Sequence, residues 1–480
     1  MKKIGLIVFS LVLGMFIFQS CEDQDDTAVP VNDFIWKGLN AYYLWQQNVP
    51  DLADNRFANQ GELNDYLKGY SSPEQLFNHL IYKTDASGNE IDRWSRIFPD
   101  FTVLENALQG ISKSNGVEFG LFYADASETT VIGYVRYILP GTDAANKNIH
   151  RGDVFYAVNG NILTGDNYSQ LLNQDNYTLN MATVNSDGSV TPNDIDVFLT
   201  KSQYSEDPVY IADTYTTGSH TIGYLMYNGF YSDYDAELNT AFSEFASAGV
   251  TDLVLDLRYN GGGSIRTATY LASMITGQFN GQLFAKQQWN SKLQSIYESN
   301  NPSALTNLFS NTLSDGSSIN SLNLSKVYII TTGSTASASE LVINCLKPYI
   351  DVVQIGTTTI GKNVGSITLY DSPDFTSKNR NGSHRYAMQP IVLKILNKNN
   401  FGEYSSGITP TYEVHENLSS MGTLGDPTEP LYSYAIDKIT NGGKPAHISE
   451  FKPYKLFKDS RNLKLLGNEM YTKGSLPASH

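Results

Sequence analysis

The sequence is poor in several residue types, and each scarcity excludes a class of protein. Only two cysteines, Cys21 and Cys345, occur in 480 residues, so a disulfide-held scaffold is excluded. No HExxH segment and no CxxC pair occurs, and we therefore expect no metal and no organic cofactor. Basic residues are few, 33 against 49 acidic ones, and the formal charge of −16 argues against a nucleic-acid partner.

The sequence also lacks the usual signature of a serine hydrolase. No GxSxG elbow is present, and none of the seven histidines lies in a nucleophile-partner motif. A serine nucleophile in this chain would therefore need a base other than histidine. Lysine can serve when burial lowers its pKa, because desolvation disfavours the ammonium form.

One stretch places a serine where such chemistry is possible. Residues 326–332 form a β-branched and aromatic run that predicts a short buried strand, and residues 334–346 carry good helix formers. Ser337 is therefore predicted at a strand-to-helix turn. Free backbone N–H groups and the positive end of the helix dipole at such a turn can stabilise an oxyanion.

Lys362 is the candidate base. It lies between two apolar runs, residues 352–356 and 364–370, which predict core strands on either side of a buried amine. Residues 356–362 also fit the GxxxxGK part of a P-loop. Asn363 stands where that loop needs Ser or Thr for magnesium, which argues against nucleotide binding.

These motifs, taken in order, resemble the catalytic core of the carboxyl-terminal processing peptidases, also called tail-specific proteases. The resemblance rests on SASE at residues 337–340, GK at residues 361–362 and DLRYNGGG at residues 256–263. It implies that Ser337 is the nucleophile and Lys362 its base. It also implies that two backbone N–H groups form the oxyanion hole, those of Gly263 and Ala338.

Two positions depart from the family pattern. Many relatives have a glutamine four residues after the lysine that is thought to orient it, and Ser366 stands there instead. Gly407 begins a segment similar to the family's GIxPD, in which Thr411 replaces the aspartate. The Ser366 hydroxyl can still form a hydrogen bond, so Ser366 is carried as a candidate third member of the site.

The N-terminus resembles a bacterial lipoprotein signal. Two lysines precede an apolar run at residues 4–18, and the run is too short to favour a spanning helix. Cys21 follows and would be the lipidated residue; an ordinary signal peptide and an uncleaved anchor are the alternatives. The acidic residues 22–26 resemble a surface-export signal of Bacteroidetes-type bacteria. We therefore expect an outer-membrane lipoprotein of the cell envelope, anchored to the membrane by its lipid, with exposure at the cell surface left open.

An α+β multidomain fold is predicted. Residues 110–205 resemble a PDZ domain through the segments around 139–145, 152–154 and 158–160, and the resemblance implies a peptide-binding loop at Phe119, Gly120 and Leu121. The protease core would have a crotonase-like α/β fold. The expected regions are a signal at 1–21, an acidic tether at 22–31, a helical domain at 32–109, the PDZ-like domain at 110–205, the protease core at 206–440 and a tail at 441–480.

Within these regions the patterns are more specific. An apolar stripe predicts a first helix from Asn32 that ends at Pro50, and Ser72 is predicted to begin a second one. Residues 280–323 are polar and are predicted to form a cover over the site, and residues beyond Asn441 show only a loose pattern.

The sequence therefore predicts an exported, lipid-anchored serine endopeptidase with a Ser-Lys dyad that acts on protein or peptide substrates recognised by their C-terminal tails. The alternative is a non-proteolytic peptide-binding or glycan-binding surface lipoprotein on the same fold. Ser366 and Thr411 favour that alternative, whereas the serine, the lysine and the glycine loop favour the peptidase. The sequence leaves the natural substrate, the membrane face and the oligomeric state open.

Overall fold

The computed structural model describes residues 30–124, 127–185, 189–442 and 455–473, which form an α+β fold of several regions. The predicted signal with Cys21 and residues 22–29 of the predicted tether lie outside the described residues. Within the described ranges, no helix has the length and apolar character needed to cross a membrane.

The N-terminal region is mainly helical. Its elements are α1 (Pro30–Tyr42), α2 (Gln60–Leu67), α3 (Pro73–Leu80), β1 (Arg96–Phe98) and α4 (Phe101–Leu108). The start predicted at Ser72 is confirmed, because its hydroxyl accepts a hydrogen bond from Gln75 N at 3.2 Å and caps α3. The predicted end of the first helix at Pro50 is wrong. The helix stops at Tyr42, and Leu44 N then donates to Ile391 O at 2.9 Å instead of continuing the helical ladder.

The next region is a β domain. Its elements are β2 (Ile111–Ser114), β3 (Val117–Tyr123), β4 (Val131–Ile138), β5 (Val154–Val158), β6 (Asn161–Ile162), α5 (Tyr168–Leu172), β7 (Asn176–Val184), β8 (Val190–Thr200) and β9 (Ser202–Ser205). All the pairs among these strands are antiparallel.

One prediction in the β domain needs correction. Phe119, Gly120 and Leu121 were expected in a loop, but they lie in the middle of strand β3, where all three are buried. Gly120 accommodates a neighbouring ring, because a Cβ at this position would lie 2.4 Å from two ring carbons of Tyr134. Glycine therefore marks a close approach of two strands here, not a turn.

The remaining elements, with the exception of β23, form the core that carries the site residues. They are β10 (Val209–Thr217), β11 (His220–Tyr227), α6 (Asp235–Ser247), β12 (Asp252–Asp256), β13 (Gly263–Ser264), α7 (Ile265–Thr276), β14 (Leu283–Trp289), α8 (Ser291–Asn300), β15 (Thr306–Leu308), β16 (Lys326–Thr331), α9 (Ala338–Leu346), β17 (Asp351–Gly356), β18 (Val364–Ser366), β19 (Leu369–Tyr370), β20 (Ala387–Gln389), β21 (Ile391–Asn397), β22 (Tyr412–Glu413), α10 (Pro430–Thr440), β23 (Leu456–Asp459) and β24 (Met470–Tyr471).

A six-stranded sheet organises this core in the order β10-β11-β12-β16-β17-β22. The four pairs from β11 to β22 are parallel, and β11-α6-β12 and β16-α9-β17 are crossover units of the kind predicted. Because the strands are parallel, the carboxyl ends of β12 and β16 meet at one edge of the sheet. That edge receives the glycine loop and Ser337.

A second six-stranded sheet has the order β13-β24-β18-β21-β14-β15 and corrects two predictions. Residues 280–323 were expected to form a cover, but they supply β14 and β15 to this sheet and α8 beside it. Residues beyond Asn441 were expected to be loosely patterned, yet they supply β24 to this sheet and β23 to the β domain.

One hydrophobic cluster joins the N-terminal helices to the core. It contains buried side chains of α1, α3, α6, α7 and α9, among them Leu39, Leu80, Phe242, Leu271 and Val342. Cys345 of α9 is buried in the same cluster. The N-terminal region therefore packs as part of the core and buries its apolar faces against it.

Candidate active site

Ser337 lies at the turn between β16 and α9, where the sequence predicts it. It has φ +65° and ψ −116°, a conformation that non-glycine residues seldom adopt and that stores strain. The turn is fixed from the neighbouring loop: Ala336 N donates to Asn260 O at 3.0 Å, and the Thr335 hydroxyl donates to Leu257 O at 2.8 Å. These bonds hold the serine against the glycine loop.

The glycine loop follows β12 and approaches Ser337 closely. A Cβ at Gly262 would lie 2.6 Å from Ser337 Cβ and 2.7 Å from its Oγ, and both Gly262 and Gly263 have positive φ, +109° and +141°. Asn260 shapes the loop, since its side chain donates to Tyr227 O at 2.7 Å and accepts from Gly262 N at 2.8 Å. Only backbone therefore faces the serine hydroxyl from this side.

Lys362 is fully buried near the same edge. Its amine donates to Asn468 O at 2.9 Å, lies 3.2 Å from Glu469 Oε1, and sits 4.9 Å from the centre of the Trp94 ring. Burial lowers the pKa of Lys362, while the carboxylate of Glu469 opposes that decrease. Burial therefore favours the neutral amine of Lys362, whereas the pairing with Glu469 favours its ammonium form.

Glu340 connects the serine turn to the lysine segment. One of its carboxylate oxygens accepts from Ser337 N at 2.7 Å and from Lys362 N at 2.8 Å. The other oxygen accepts from Gly361 N at 2.6 Å and from the Thr359 hydroxyl at 2.5 Å. Burial raises the pKa of Glu340, and these four hydrogen bonds oppose the rise.

Ser366 lies at the far side of the lysine. Its hydroxyl contacts the carboxylate of Glu469 and accepts a hydrogen bond from Gln389 Nε2 at 2.9 Å. Gln389 is fully buried and also accepts from the Thr368 hydroxyl at 2.6 Å. Ser366 therefore reaches Lys362 through the carboxylate that both contact.

The two residues of the predicted dyad are brought together by Glu340, but their side chains are not hydrogen-bonded to each other. Within the described residues, Ser337 Oγ is buried and has no hydrogen-bond partner. The amine of Lys362 instead contacts residues 468–469. The five histidines in the described ranges that make an ion pair do so with Asp or Glu and are not partners of the serine.

A cavity of about 590 Å³ approaches this site between the core and the β domain. The glycine loop and Glu469 form one wall, and Phe119, Tyr137 and Tyr177 of the β domain form another. Charged side chains also line it: Glu118, Glu206, Arg461 and Lys464. In the part of the chain that the structure describes, no group of three or more His, Cys, Asp or Glu side chains could hold a metal ion.

The sequence did not indicate several residues of the site. Gln389 is the one with a visible signal, a polar residue separated from the apolar run of β21 by a single proline. Trp94, Asn468 and Glu469 had none, because they are brought to Lys362 from distant parts of the chain.

Two family models match the chain, one in the N-terminal region and one in the core. The model of the peptidase S41 N-terminal domain matches residues 30–96, and that of peptidase family S41 matches residues 221–414, which carry the glycine loop, Ser337 and Lys362. The chain belongs to peptidase family S41. This assignment confirms the family that the sequence motifs predicted.

Known S41 relatives agree with the assignment. The chain is 27% identical over 241 residues to the chloroplastic C-terminal processing peptidase of Tetradesmus obliquus, covering 47% of either chain. It is 23% identical over 316 residues to the carboxyl-terminal-processing protease of Picosynechococcus, covering 65% of this chain and 68% of the relative. It therefore spans about half the length of the former and two thirds of the latter.

A solved structure is similar over most of the chain. A Bacteroides fragilis protein assigned to the S41 proteases shares 26% identity and superposes with a TM-score of 0.64. The match covers 86% of this chain and 98% of the other. The α+β multidomain fold is therefore one already observed for a protein assigned to S41.

Proposed function

We propose that this S41 chain is a serine endopeptidase that cleaves proteins or peptides recognised by their C-terminal ends. Ser337 is the nucleophile and Lys362 its base. The observation that carries the proposal is the joint position of the two residues. A buried serine at a strained turn packs against Gly262, and one carboxylate, that of Glu340, binds the backbone of both the serine and the buried lysine.

The proposed reaction follows from these positions. Ser337 Oγ forms a bond to the scissile carbonyl carbon while its proton passes to neutral Lys362 Nζ. The N–H groups of Gly263 and Ala338 donate to the oxyanion, and the N-terminus of α9 adds its dipole. The C–N bond then breaks, and the leaving amine takes the proton from Lys362. Water hydrolyses the acyl-serine ester by the same route in reverse and returns the proton to Ser337.

The other regions have proposed roles in substrate choice and location. The β domain, residues 110–205, would act as a PDZ-like module in which β3, with Phe119, Gly120 and Leu121, pairs with an added peptide strand.

Cys21 would be lipidated after export and hold the enzyme in the outer membrane. A Cys21→Ser variant should then move from the membrane fraction to the soluble fraction, and its retention with the membrane would contradict lipid anchoring at this residue.

The dyad is tested by cleavage of casein with a form that starts at Glu22. We expect Ser337→Ala and Lys362→Ala to lower the rate by about 10⁴-fold or more. Matched controls are Ser295→Ala in α8 and Lys326→Ala at the start of β16, two exposed residues whose loss should leave the rate unchanged. Labelling of the parent, but not of Ser337→Ala, by a fluorophosphonate would identify the nucleophile. Cleavage that survives in Ser337→Ala would contradict the proposal.

A further inference from the structure

The C-terminal segment, residues 455–473, crosses two sites of the molecule that a substrate peptide would need. Its first strand, β23, adds to the edge of the β domain antiparallel to β3. Its second strand, β24, lies between β13, which contains Gly263, and β18, which follows Lys362. The same short segment therefore occupies both the peptide-binding edge and the catalytic cleft.

At the β domain, the segment is held as a bound peptide would be. The backbone of β23 pairs with β3, and the Phe457 ring packs against two aromatic rings, Tyr123 of β3 at 4.7 Å and Tyr168 of α5 at 5.2 Å between centroids. Backbone pairing with a pocket for alternate side chains is the pattern of recognition by strand addition.

An acidic side chain of the segment reaches the nucleophile turn. Asp459 is buried and accepts from Arg136 Nη1 of β4 at 2.8 Å and from the Ser334 hydroxyl at 2.6 Å. Ser334 belongs to the turn that carries Ser337, so one carboxylate of the segment joins the β domain to the catalytic turn. Asp459 follows Phe457 by two residues, and the register of β23 shifts between Leu456 and Lys458. The two side chains therefore reach different partners, the aromatic rings of the β domain for Phe457 and Arg136 with Ser334 for Asp459.

At the catalytic cleft, the segment lies directly on the glycine loop. A Cβ at Gly261 would lie 1.8 Å from Gly467 O, and a Cβ at Gly262 would lie 2.5 Å from Glu469 O. The backbone of the segment therefore occupies the space over the loop that is proposed to bind the oxyanion. A substrate strand cannot enter the same space.

The segment also engages the base. Lys362 Nζ donates to Asn468 O at 2.9 Å and lies 3.2 Å from Glu469 Oε1, while Ser337 Oγ has no hydrogen-bond partner among the described residues. A carboxylate favours the ammonium form of the lysine. An ammonium in this pair cannot accept the serine proton.

From these contacts we infer that the C-terminal segment is an intramolecular peptide ligand that holds the enzyme inactive until another peptide displaces it. The displacing peptide would be extended and would carry an aromatic side chain and, two residues on, a carboxylate, to fill the places of Phe457 and Asp459. This inference rests on the proposed function, since it assigns a regulator and a ligand class to the same site.

The test combines variants at both ends of the segment with two readouts. We expect the double variant Phe457→Ala and Asp459→Asn, and separately Glu469→Gln, to raise the rate of fluorophosphonate labelling and of casein cleavage by about 10-fold or more. Lys458→Ala is the matched control, because this side chain of β23 is exposed and its replacement should leave both rates unchanged.

Hydrogen exchange provides the readout that does not depend on activity. Amides of residues 456–459 and 468–471 should be protected in the parent and lose protection in the two release variants. A synthetic peptide of residues 455–473 added in trans should restore inhibition, whereas the same peptide with Phe457→Ala and Asp459→Asn should not.

The outcomes separate the two proposals. Unchanged protection and unchanged labelling in folded release variants, or labelling that falls in Glu469→Gln, would overturn the inhibitory role of the segment. Loss of protection with no labelling or cleavage in any form would instead overturn the proposed peptidase function. If a variant fails to fold, a peptide of residues 455–459 alone, which carries Phe457 and Asp459 but lacks the part that covers the cleft, should lower the protection and raise the labelling of the unmodified parent. Unchanged protection and labelling in excess peptide would overturn the inhibitory role.

Discussion

Lys362 has the most finely balanced environment of the proposed catalytic residues. Burial lowers its pKa, and the positive charge of Arg96 adds to this decrease. Glu469 and Asp92 oppose it, and the Trp94 ring face, 4.9 Å away, also favours a cation. The protonation state of the base therefore depends on a small number of identifiable charges.

The pH dependence of cleavage should reveal this balance. Activity requires the neutral amine, so kcat/KM should rise as the pH increases through the lowered pKa of Lys362. In Glu469→Gln the ammonium loses its carboxylate, its pKa falls further, and the midpoint of the rise should move down by about one pH unit. A pH profile of casein or peptide cleavage measures that midpoint separately from the maximal rate.

Arg96→Gln is the control variant in which the pKa of Lys362 should shift in the opposite direction. Removal of this positive charge should raise the pKa of Lys362 and move the midpoint to higher pH. Shifts of the two variants in the same direction, or a maximum of activity below about pH 5 in the parent, would count against a lysine base.

Gly262 should not tolerate any side chain. Its φ of +109° is unfavourable for other residues, and an added Cβ would lie 2.5 Å from Glu469 O and 2.6 Å from Ser337 Cβ. We expect Gly262→Ala to abolish cleavage and to lower the free energy of unfolding by about 1–3 kcal/mol, measured by urea denaturation. Gly382→Ala is the matched control, since nothing lies within 4 Å of its added Cβ. An active, equally stable Gly262→Ala enzyme would contradict this account of the loop.

At the residue scale, the sequence predicts what is local. Ser337, Lys362 and the glycine loop each follow a strand within a few residues, so the hydrophobic pattern placed them, and the resemblance to the carboxyl-terminal processing peptidases implied their roles. Gln389 and Glu469 reach the same site only through the pairing of β20 and β24 with other strands. No periodicity within one segment encodes such pairings.

At the scale of elements, Glu340 in the first turn of α9 is expected to act as a positioning residue. Each of its two carboxylate oxygens accepts two hydrogen bonds. In Glu340→Gln one of these oxygens becomes an NH₂ group, which can only donate and would face two groups that also donate. We expect kcat to fall by about 10²-fold with a smaller change in KM, because the serine and lysine segments lose their fixed relation. Steady-state kinetics measure both constants. Exposed Glu298→Gln in α8 is the control, and a purely KM effect would contradict a positioning role.

Two elements differ from what the sequence led us to expect. The resemblance to a PDZ domain implied a loop at Gly120, but the glycine is required because the Tyr134 ring covers it within a strand. Residues 280–323 are rich in polar residues, yet β14 is an inner strand that pairs with β21 on one side and β15 on the other. Polar composition reports exposure of one face, not the absence of a strand.

At the scale of the whole molecule, the order of the regions was predictable and their interdependence was not. The apolar faces of the N-terminal helices predicted helices correctly but gave no indication that they would share a cluster with α7 and α9. The C-terminal segment has little pattern because its few apolar anchors, the half-buried Phe457 and the buried Met470 and Tyr471, contact three different regions. Long-range contacts of this kind are established only when the whole chain folds.

A buried ionic cluster joins the β domain to the core. Arg151 lies 2.7 Å from Glu416 and donates to the Tyr259 hydroxyl at 2.8 Å, while Arg258 bonds both Asp256 and Glu429. Burial alone would raise the pKa of Glu416, but Arg151 and Arg258 lower it to about 2. Glu416 therefore contributes to the stability of the cluster only while its carboxylate is ionised.

Replacement of Arg151 should show how much this ionic cluster between the β domain and the core contributes to stability. We expect Arg151→Met to lower the free energy of unfolding by about 3–5 kcal/mol at pH 7, because Glu416 is left buried with fewer partners. Because the pKa of Glu416 is lowered from 4.5 to about 2, its contribution is complete above 4.5 and is lost as the pH falls towards 2. The difference between parent and Arg151→Met should therefore shrink across that window in urea unfolding experiments.

Lys147→Met, which removes a more exposed ion pair with Asp143, should change stability by less than about 1 kcal/mol at any pH. A pH-independent difference for Arg151→Met would show that the cluster stabilises the molecule by packing and not by charge.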